Sequence, residues 1–407
     1  MRLVSLVRLM GLVALAPIVL LFPRNRKKIL FGAWWGNSVS DNSKYFLHYV
    51  LENLPEYQCY WVGKKSLREE VVKIPNVRFV RKESALVVWH MLTASWAFWT
   101  ISLGDDISQF PTFGRIKQLS FWHGPIFKDV TYLAHASAEA KPLGLFSRLR
   151  LWVRAFREWA YTQKAYASFS TETAVKRMKY EAPWSFDESR SRAFGTARID
   201  YLIKNRANQK EILRVREKYA KILSLPLDQE WFLYMPTWRK GLMEKYSTLR
   251  TARISEIQSA LEKRNAILIE KQHPQVLFEL GLSAGHNGRI YSVSKEQSVW
   301  IDTQELLLAC QRLVTDYSSC SVDFMVLNRP VIYFMYDYDF YLKERGLAFD
   351  LNEFAAGPVA KDEVSFIKLL GQTSAQVLAQ KKPRASELYS GEKGHACEQF
   401  AKWVGLA

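Results

Sequence analysis

Short apolar runs alternate with amphipathic stretches along most of the chain after residue 28. The runs KILFGAWW, YQCYWVG and AFWTIS predict buried strands, and DNSKYFLHYVLENL between the first two has the apolar spacing of a helix. After the charged helical stretch NQKEILRVREKYAKIL, the alternation starts again with WFLYMPT, AILIEK, RLVTD and PVIYF. Because strands that alternate with helices form parallel sheets, the pattern predicts an α/β protein with two Rossmann-like, doubly wound domains facing a cleft.

The length of 407 residues fits this division, since it exceeds one average domain. We expect an N-terminal membrane-associating segment at 1–27 and a first Rossmann-like domain at 28–200. A linker and helix at 201–228 then lead to a second Rossmann-like domain at 229–407.

The amino terminus has the composition of a membrane anchor. Its first 28 residues hold six basic residues and no acidic one, and Leu9–Phe22 is an apolar run of 14 residues that contains Pro17. That run is shorter than the ~20 residues of a spanning helix, and no small-residue cleavage site follows it. We expect a monotopic anchor with basic flanks on anionic headgroups. An ordinary first helix and a tilted span are the alternatives.

The charge balance predicts an anionic partner. Lys and Arg number 57 against 40 Asp and Glu, which gives a net charge of +17 and favours nucleic acid, acidic lipid or a phosphate-rich substrate. Nucleic acid is disfavoured, because no recognised binding motif is present and the aromatic residues fall mostly in predicted cores. The sequence also predicts an amphipathic helix at 145–164 with arginines on one face. This face is either exposed to solvent or makes a second contact with the membrane or the acceptor.

Cysteines and carboxylates give no sign of a metal site. The four cysteines are scattered without metal-ligand spacing, and Cys310 and Cys320 lie in apolar surroundings typical of core packing. No carboxylate cluster demands a metal, which leaves open whether a divalent cation such as Mg²⁺ assists.

The stretch VTDYSSCSVDF contains the clearest candidate binding turn. A predicted strand runs through Asp316 into Ser318 and Ser319 and then into a helix. Free amides, hydroxyls and a helix amino terminus together can bind an anion, and in a parallel sheet this turn lies at the ligand-binding edge. Asp316 would orient the turn or meet a polyol hydroxyl. The alternative is a serine that merely caps the helix.

Three further polar residues follow predicted strands. His123 in SFWHGP and His273 in IEKQHP are placed for proton transfer or a phosphate contact, and Arg239 in MPTWRK has a guanidinium suited to phosphate oxygens. For each of them, an ordinary structural or surface role is the alternative.

Six motifs in order resemble the family of CDP-glycerol glycerophosphotransferases, which build teichoic acids and related polyol-phosphate capsules. They are GAWWGNSVSDNSKYF, SFWHGPIFKD, FGTARIDYL, YMPTWRK, KQHP and LVTDYSSCSVDFMVLNRPVIYF, and the similarity covers roughly residues 28–400. The resemblance implies a fold of the GT-B glycosyltransferase type, with a CDP-polyol donor in the carboxyl-terminal domain and a membrane-linked acceptor at the cleft.

The resemblance also implies roles for individual residues. On the acceptor side it points to Gly36, Asp41, Asn42, Lys44 and Arg198, and on the donor side to Arg239, Thr315, Asp316, Ser318, Ser319 and Asp323. His123 would accept the proton of the attacking hydroxyl while His273 helps to hold the diphosphate, and CMP would leave.

The expected protein is therefore a transferase at the cytoplasmic face of the cell membrane, peripheral or monotopic. It would move a polyol phosphate, with glycerol favoured over ribitol, to a lipid-linked or polymeric polyol-phosphate acceptor. The alternatives are a GT-B glycosyltransferase that uses a sugar nucleotide and a non-catalytic basic protein that binds the membrane surface.

Overall fold

The computed structural model describes residues 3–124, 164–181, 186–237, 253–272, 285–298, 300–344, 347 and 349–407. The chain divides into two compact units. The first consists of Met1–His123, Thr131–Arg198 and His395–Ala407, and the second of Gly124–Val130 and Ile199–Gly394.

A parallel sheet forms the centre of the first unit. Within the described ranges its strands have the order β3-β2-β1-β4-β5-β6-β7, and every neighbouring pair is parallel. This order is that of a doubly wound sheet, which reverses between β1 and β4. The strands are β1 (Asn25–Phe31), β2 (Gln58–Gly63), β3 (Val77–Arg81), β4 (Ala94–Phe98), β5 (Lys117–Ser120), β6 (Tyr166–Ser168) and β7 (Ser191–Arg192).

The helices of the first unit connect these strands. They are α1 (Leu3–Leu21), α2 (Asp41–Asn53), α3 (Arg68–Val71), α4 (Leu86–Thr93), α5 (Leu103–Asp106) and α6 (Glu172–Glu181), with 3₁₀ turns at Trp34–Gly36, Lys65–Leu67 and Glu188–Arg190. The helix α7 (Ala197–Asn205) begins in the first unit and continues in the second.

The second unit has a sheet of the same kind. Its described strands have the order β10-β11-β9-β8-β12-β13-β14, parallel except for the edge hairpin of β10 and β11. The order reverses between β8 and β12. The strands are β8 (Glu230–Met235), β9 (Ala266–Glu270), β10 (Gly285–Asn287), β11 (Ile290–Ser292), β12 (Arg312–Thr315), β13 (Val331–Phe334) and β14 (Val359–Ala360).

Helices lie against both faces of the second sheet, which explains its continuous apolar strands. Along β8, Trp231 and Leu233 join one buried cluster while Phe232 and Tyr234 join another, because successive side chains point to opposite faces. The helices are α8 (Gln209–Leu223), α9 (Ile254–Glu262), α10 (Lys295–Ser298), α11 (Thr303–Ala309), α12 (Cys320–Met325), α13 (Tyr338–Glu344), α14 (Leu351–Phe354), α15 (Glu363–Leu370) and α16 (Ser374–Leu378), with a 3₁₀ segment at Pro383–Tyr389.

The last helix, α17 (Ala396–Val404), belongs to the first unit. This differs from the expected domain at 229–407, which placed it with the second sheet. The aromatic ring of Phe400 packs on Phe46 of α2 at 5.8 Å and on Phe121 at 4.7 Å between ring centroids. The chain therefore returns to its first unit because this helix buries its apolar face there.

The amino-terminal helix α1 rests on the first unit by part of its surface. Val19 is fully buried and packs with Phe113, whereas Val13, Ile18 and Leu21 are 56%, 59% and 85% exposed. Within the described residues, no helix combines the length and apolar character needed to cross a bilayer. In the basic flank of this helix, Arg24 directly precedes β1 and donates a hydrogen bond to the carbonyl of Ala94.

The four cysteines are buried and unpaired in disulfides. Burial raises the pKa of the Cys310 thiol to about 12 and that of Cys320 to about 11. These two side chains lie in the hydrophobic core of the second unit, as the sequence predicted. High thiol pKa values make them poor nucleophiles and poor metal ligands.

Candidate active site

In each sheet, one buried aspartate joins the two strands between which the strand order reverses. In the first unit this is Asp106 and in the second Asp316, and both are fully buried. Ligands of doubly wound sheets bind at this reversal, beyond the carboxyl ends of the strands. The polar groups around these two aspartates are therefore the first candidates for function.

Asp106 fixes the turn that follows β1. Its carboxylate accepts hydrogen bonds from the backbone amides of Trp35 at 2.9 Å, Thr100 at 2.8 Å and Ile101 at 2.6 Å. Trp35 follows β1, whereas Thr100 and Ile101 follow β4, so the carboxylate bridges both strands. Burial raises the pKa of Asp106, and the three amide hydrogen bonds oppose that rise. Sequence reasoning missed Asp106, since nothing in the local stretch GDDIS marks it.

The turn after β1 is conformationally strained. Trp34, Trp35 and Gly36 all have positive φ angles, of 47°, 57° and 75°. Left-handed backbone at a non-glycine residue costs on the order of 1–3 kcal/mol and persists only where surrounding contacts impose it. Here the carboxylates of Asp106 and Asp41 do so, because they accept hydrogen bonds from the Trp35 amide and from Trp34 Nε1 at 3.2 Å.

Asp41, Asn42 and Arg198 form a buried polar cluster. The Arg198 guanidinium lies 2.8 Å from Asp41 Oδ1, with both side chains at most 7% exposed. Asn42 Oδ1 accepts a hydrogen bond from the Arg198 amide at 3.0 Å, and its Nδ2 donates to the carbonyl of Trp122 at 2.9 Å. The start of α2, the start of α7 and the end of β5 thus meet in one network.

His123 is held by this cluster through its backbone. The guanidinium of Arg198 donates to the His123 carbonyl at 2.9 Å as well as to Asp41. The imidazole ring lies 4.1 Å from the ring of Trp122 and 6.4 Å from that of Trp34, centroid to centroid. The imidazole therefore lies near two indole rings, and one of them belongs to the turn after β1.

The structure therefore brings together most of the expected residues of the first unit. Asp41, Asn42, Arg198 and His123 are linked directly, and Gly36 ends the neighbouring turn. Lys44 lies one turn into α2, with its ammonium 5.4 Å from the ring of Tyr45.

In the second unit, the expected turn follows β12. The Asp316 carboxylate accepts from the amide of Thr237, which follows β8, at 2.8 Å and from the amide of Tyr317 at 2.6 Å. Thr315 Oγ1 donates to the carbonyl of Met235 at 2.7 Å. Asp316 and Thr315 are both fully buried, and their hydrogen bonds connect β12 to β8. Their side chains therefore support the turn and cannot contact a ligand that binds from solvent.

Ser318 and Ser319 are the partly exposed residues of this turn. Ser318 Oγ accepts a long hydrogen bond of 3.5 Å from the Cys320 amide, and the Ser319 side chain does not cap α12. The helix is six residues long, so its dipole would contribute less to an anion site than the sequence suggested.

Asp323 lies inside α12 and is 1% exposed. Its carboxylate accepts a hydrogen bond of 3.1 Å from Nε2 of Gln304 on α11. Gln304 and Asp302 are also buried, and Asp302 caps α11. A buried polar layer therefore lies at the carboxyl edge of the second sheet.

Lys271 is a residue that sequence reasoning passed over within the stretch IEKQHP. It follows β9 directly, its amide donates to the carbonyl of Tyr234, and it is 6% exposed. Among the described residues, no hydrogen-bond or ion-pair partner contacts its ammonium. Burial lowers the pKa of Lys271, and the neighbouring Cys320 and Asp302 only partly oppose this. A buried ammonium at a ligand-binding edge is a candidate anion contact.

Two expected site residues, His273 and Arg239, lie outside the described residues, as does the expected amphipathic helix up to residue 163. Within the part of the chain that is described, no group of three His, Cys, Asp or Glu side chains could hold a metal ion.

Comparison with known proteins identifies the family of the chain. The model of the CDP-glycerol:poly(glycerophosphate) glycerophosphotransferase family matches residues 14–402. The chain belongs to this family. The predicted resemblance is confirmed, and with it the predicted function: the protein is an enzyme, a CDP-glycerol glycerophosphotransferase of teichoic acid synthesis.

Individual relatives agree with the family assignment. The glycerophosphotransferase is 27% identical to the teichoic acid poly(glycerol phosphate) polymerase of Bacillus spizizenii, over 88% of this chain and 86% of the relative. It is 26% identical to the teichoic acid glycerol-phosphate transferase of Staphylococcus aureus, with 93% of both chains covered. The corresponding polymerase of Bacillus subtilis is longer, and the match spans 45% of it.

A solved structure of the wall teichoic acid polymerase TagF has the same fold. It superposes with a TM-score of 0.74 at 21% identity, over 99% of the glycerophosphotransferase and 96% of the TagF chain. The predicted fold of two parallel α/β domains is confirmed by this likeness and by the two sheets.

Proposed function

We propose that the glycerophosphotransferase moves glycerol phosphate from CDP-glycerol to a hydroxyl of a membrane-linked or polymeric acceptor, with His123 as general base. The observation that carries this proposal is the Arg198 guanidinium, which joins the Asp41 carboxylate to the His123 carbonyl. The buried ion pair of Arg198 and Asp41 thereby positions His123. Among the described histidines, His123 is the one that follows a strand of the first sheet. The first unit then serves the acceptor and the second the donor.

In the proposed reaction, the acceptor oxygen attacks the phosphorus that carries glycerol. The bond from this phosphorus to the bridging oxygen breaks, and CMP leaves with that oxygen. His123 takes the proton of the attacking hydroxyl, which is worth on the order of 10²–10⁴-fold in rate. Phosphoryl transfer needs little other covalent help, so positioning and charge neutralisation carry the rest.

The second unit would hold the diphosphate of the donor. Ser318 and Ser319 expose hydroxyls at the end of β12, and Lys271 supplies a desolvated ammonium at the end of β9. The strands β9, β8 and β12 are neighbours, so these groups share one edge of one sheet. His273 and Arg239 are assigned here through the family motifs, and Asp323, with Thr315 and Asp316 behind it, would shape the site for the donor hydroxyls.

The helix α1 would attach the enzyme to the cytoplasmic face of the membrane, as a peripheral or monotopic protein. Val13, Ile18 and Leu21 leave an exposed apolar surface on this helix. The chain that follows it exposes Arg26 and Lys27, and a net charge of +17 favours anionic lipid and an anionic acceptor.

The test is product analysis with His123→Ala. CDP-glycerol and CDP-ribitol are offered with a lipid-linked acceptor, CMP release is followed, and products are weighed by mass spectrometry. We expect His123→Ala to lose transfer by about 10²-fold or more while it still binds CDP-glycerol. Ser319→Ala should instead weaken donor binding.

His395→Ala is the matched control, because that side chain is exposed at the start of α17 and caps nothing. Its turnover should equal that of the wild type. Near-normal transfer by His123→Ala would refute the base assignment, and absence of CMP release by the wild type would refute the proposed reaction.

A further inference from the structure

Three basic side chains surround the ring of Tyr60 on one face of the first sheet. Lys28 of β1 and Arg78 of β3 project from the same face as Tyr60 of β2, because the register pairs Leu30 with Tyr60 and Tyr60 with Arg78. His90 of α4 covers this face, and we call Lys28, Arg78 and His90 the Tyr60 cluster. Three further residues follow each of the strand residues before its strand ends, so about 10 Å of strand separates the cluster from the carboxyl edge.

Each member of the Tyr60 cluster contacts the tyrosine side chain. The Lys28 ammonium lies 4.8 Å from the centroid of the Tyr60 ring and donates to Thr93 Oγ1 at 2.6 Å. The ring centroids of His90 and Tyr60 are 4.5 Å apart. The Arg78 guanidinium donates to the Tyr60 hydroxyl at 2.9 Å. An ammonium, an imidazole and a guanidinium are thus held around one neutral ring.

The Tyr60 cluster lacks a counter-charge among the described residues, since no carboxylate there forms an ion pair with any of its members. Lys28 is 5% exposed and His90 is 7% exposed, and Nδ1 of His90 is buried without a hydrogen-bond partner. Burial, with the charge of Arg78 as a second cause, lowers the pKa of Lys28 to about 8. Burial, Lys28 and Arg78 together lower the pKa of His90 to about 4. Burying such groups is costly unless a partner compensates them.

Two arginines extend the positive charge from the Tyr60 cluster towards the end of α1. Arg24 donates to the carbonyl of Ala94, which follows Thr93, and Arg115 donates to the Phe22 carbonyl at 2.9 Å. Burial lowers the pKa of Arg24 to about 10, and the charge of Arg115 adds to this effect. Nε of both arginines and Nη2 of Arg24 are buried without a hydrogen-bond partner. Within the described ranges, neither arginine has a carboxylate as an ion-pair partner.

A phosphate group is the ligand that fits this arrangement. Ammonium, guanidinium and protonated imidazole groups all donate hydrogen bonds to phosphate oxygens, and donors placed around one point suit the tetrahedral oxygens of a phosphate. Arg78 is exposed, so an anion can approach the cluster from solvent at this residue. We propose that Lys28, Arg78 and His90 bind a phosphate group at a site that is separate from the transfer reaction.

Two sources could supply this phosphate. A free phosphate ester would reach the Tyr60 cluster from solution. A phospholipid headgroup would reach it from a membrane surface, because Trp89, the residue before His90, is 53% exposed and contacts Phe22 just after α1, with ring centroids 5.5 Å apart. Both sources present the same phosphate chemistry, so they are distinguished by experiment.

Isothermal titration of the full chain with glycerol 3-phosphate tests the free ester. We expect Lys28→Met to lower the affinity at least about tenfold, because it removes a desolvated charge. Arg78→Met should lower the affinity several-fold, and its exposed position keeps the proposal testable if Lys28→Met does not fold. Lys73→Met is the matched control, since it removes the same charge from an exposed position of the same unit. It should change the affinity less than about twofold.

Sedimentation with vesicles of phosphatidylcholine, with and without phosphatidylglycerol, tests the headgroup. Lys28→Met and Arg78→Met should reduce binding to the phosphatidylglycerol vesicles several-fold more than Lys73→Met does. A loss seen with glycerol 3-phosphate assigns the site to a free ester, and a loss confined to vesicles assigns it to a headgroup.

Two results would overturn the proposed phosphate site. One is equal behaviour of Lys28→Met, Arg78→Met and Lys73→Met in both measurements, which would leave the basic groups as ordinary contacts to the carboxyl end of α4. The other is binding of glycerol 3-phosphate that Ser319→Ala weakens and Lys28→Met does not, which would place the phosphate at the proposed donor site.

Discussion

Replacing Arg198 by Met tests whether the buried ion pair positions the proposed base. The guanidinium is 7% exposed and contacts Asp41 Oδ1 at 2.8 Å and the His123 carbonyl at 2.9 Å. Removing it leaves the Asp41 carboxylate, which is 6% exposed, with hydrogen bonds from Trp34 Nε1 and the Asn42 amide as its remaining contacts among the described residues. Breaking a buried pair from one side costs about 3–5 kcal/mol, because the remaining charge is uncompensated.

The measurement is urea unfolding followed by tryptophan fluorescence, with transfer rates measured in parallel. The control is Arg214→Met, since Arg214 is 53% exposed and pairs with Glu211 within one helix at 2.7 Å and with Glu305 at 3.9 Å. Loss of such a surface pair costs at most about 1 kcal/mol. In Arg198→Met/Asp41→Leu, the buried carboxylate is also gone, so most of the stability should return while turnover stays low.

The separation of stability from turnover is what the structure predicts. If Arg198→Met were no less stable than Arg214→Met, the Arg198–Asp41 pair would contribute no more than a surface ion pair. It would then not hold the polar cluster together. If the double variant regained turnover together with stability, Arg198 would serve the fold alone and not the placement of His123.

Two further substitutions test strain and buried charge. Gly36→Ala forces a Cβ onto a residue with φ of 75° and into Cδ of Lys82, so it should cost about 1–2 kcal/mol and reduce turnover. The control Gly371→Ala has φ of −75°, and its Cβ would meet the carbonyl oxygens of Lys368 and Ile367 only at ordinary van der Waals distances, so urea unfolding should show a gain of about 0.4–1 kcal/mol. A loss of stability in both variants would contradict the claim that the backbone at Gly36 is strained. Lys271→Met should weaken CDP-glycerol binding, and it should stabilise the unliganded protein most at neutral pH. Burial lowers the pKa of Lys271 in the folded state. Between this lowered pKa and the ordinary lysine pKa, the unfolded wild type therefore binds more protons than the folded wild type. The stability of the wild type consequently rises with pH over this range, and the stability difference from the variant becomes smaller. A stability difference that does not change with pH, as expected for the exposed Lys210→Met, would show that the ammonium is not desolvated.

Much of the fold follows from local patterns. Apolar runs bounded by turn residues located the main strands, and the restart of the alternation after α8 indicated a second sheet. The charged helix itself was recognisable from its apolar spacing at Ile212, Val215, Tyr219 and Leu223, all of which are buried. The place of α17 was not recognisable, because an amphipathic pattern shows which face is buried but not which sheet covers it.

Candidate site residues could be predicted where they directly follow a strand, and could not where their placement depends on tertiary contacts. His123 and Ser319 could be proposed from the sequence because a polar residue directly after an apolar run is expected at the ligand-binding edge. Lys271 carried a signal that was not used: β9 alternates Ile267 and Ile269 on one face, and continuing that period of two places residue 271 on the same buried face. Asp106 had no such signal in the sequence, because the backbone amides that it binds follow two strands that are distant in sequence.

The parallel roles of Asp106 and Asp316 bear on the mechanism. Both carboxylates are fully buried, and both accept hydrogen bonds from backbone amides that follow the two strands at the reversal of the sheet. A carboxylate that is fully buried and engaged with backbone amides does not reach a substrate hydroxyl. We therefore expect these aspartates to support the edges of the two sheets without taking part in proton transfer. That leaves the imidazole beside the strained tryptophan turn as the group suited to deprotonate an acceptor alcohol.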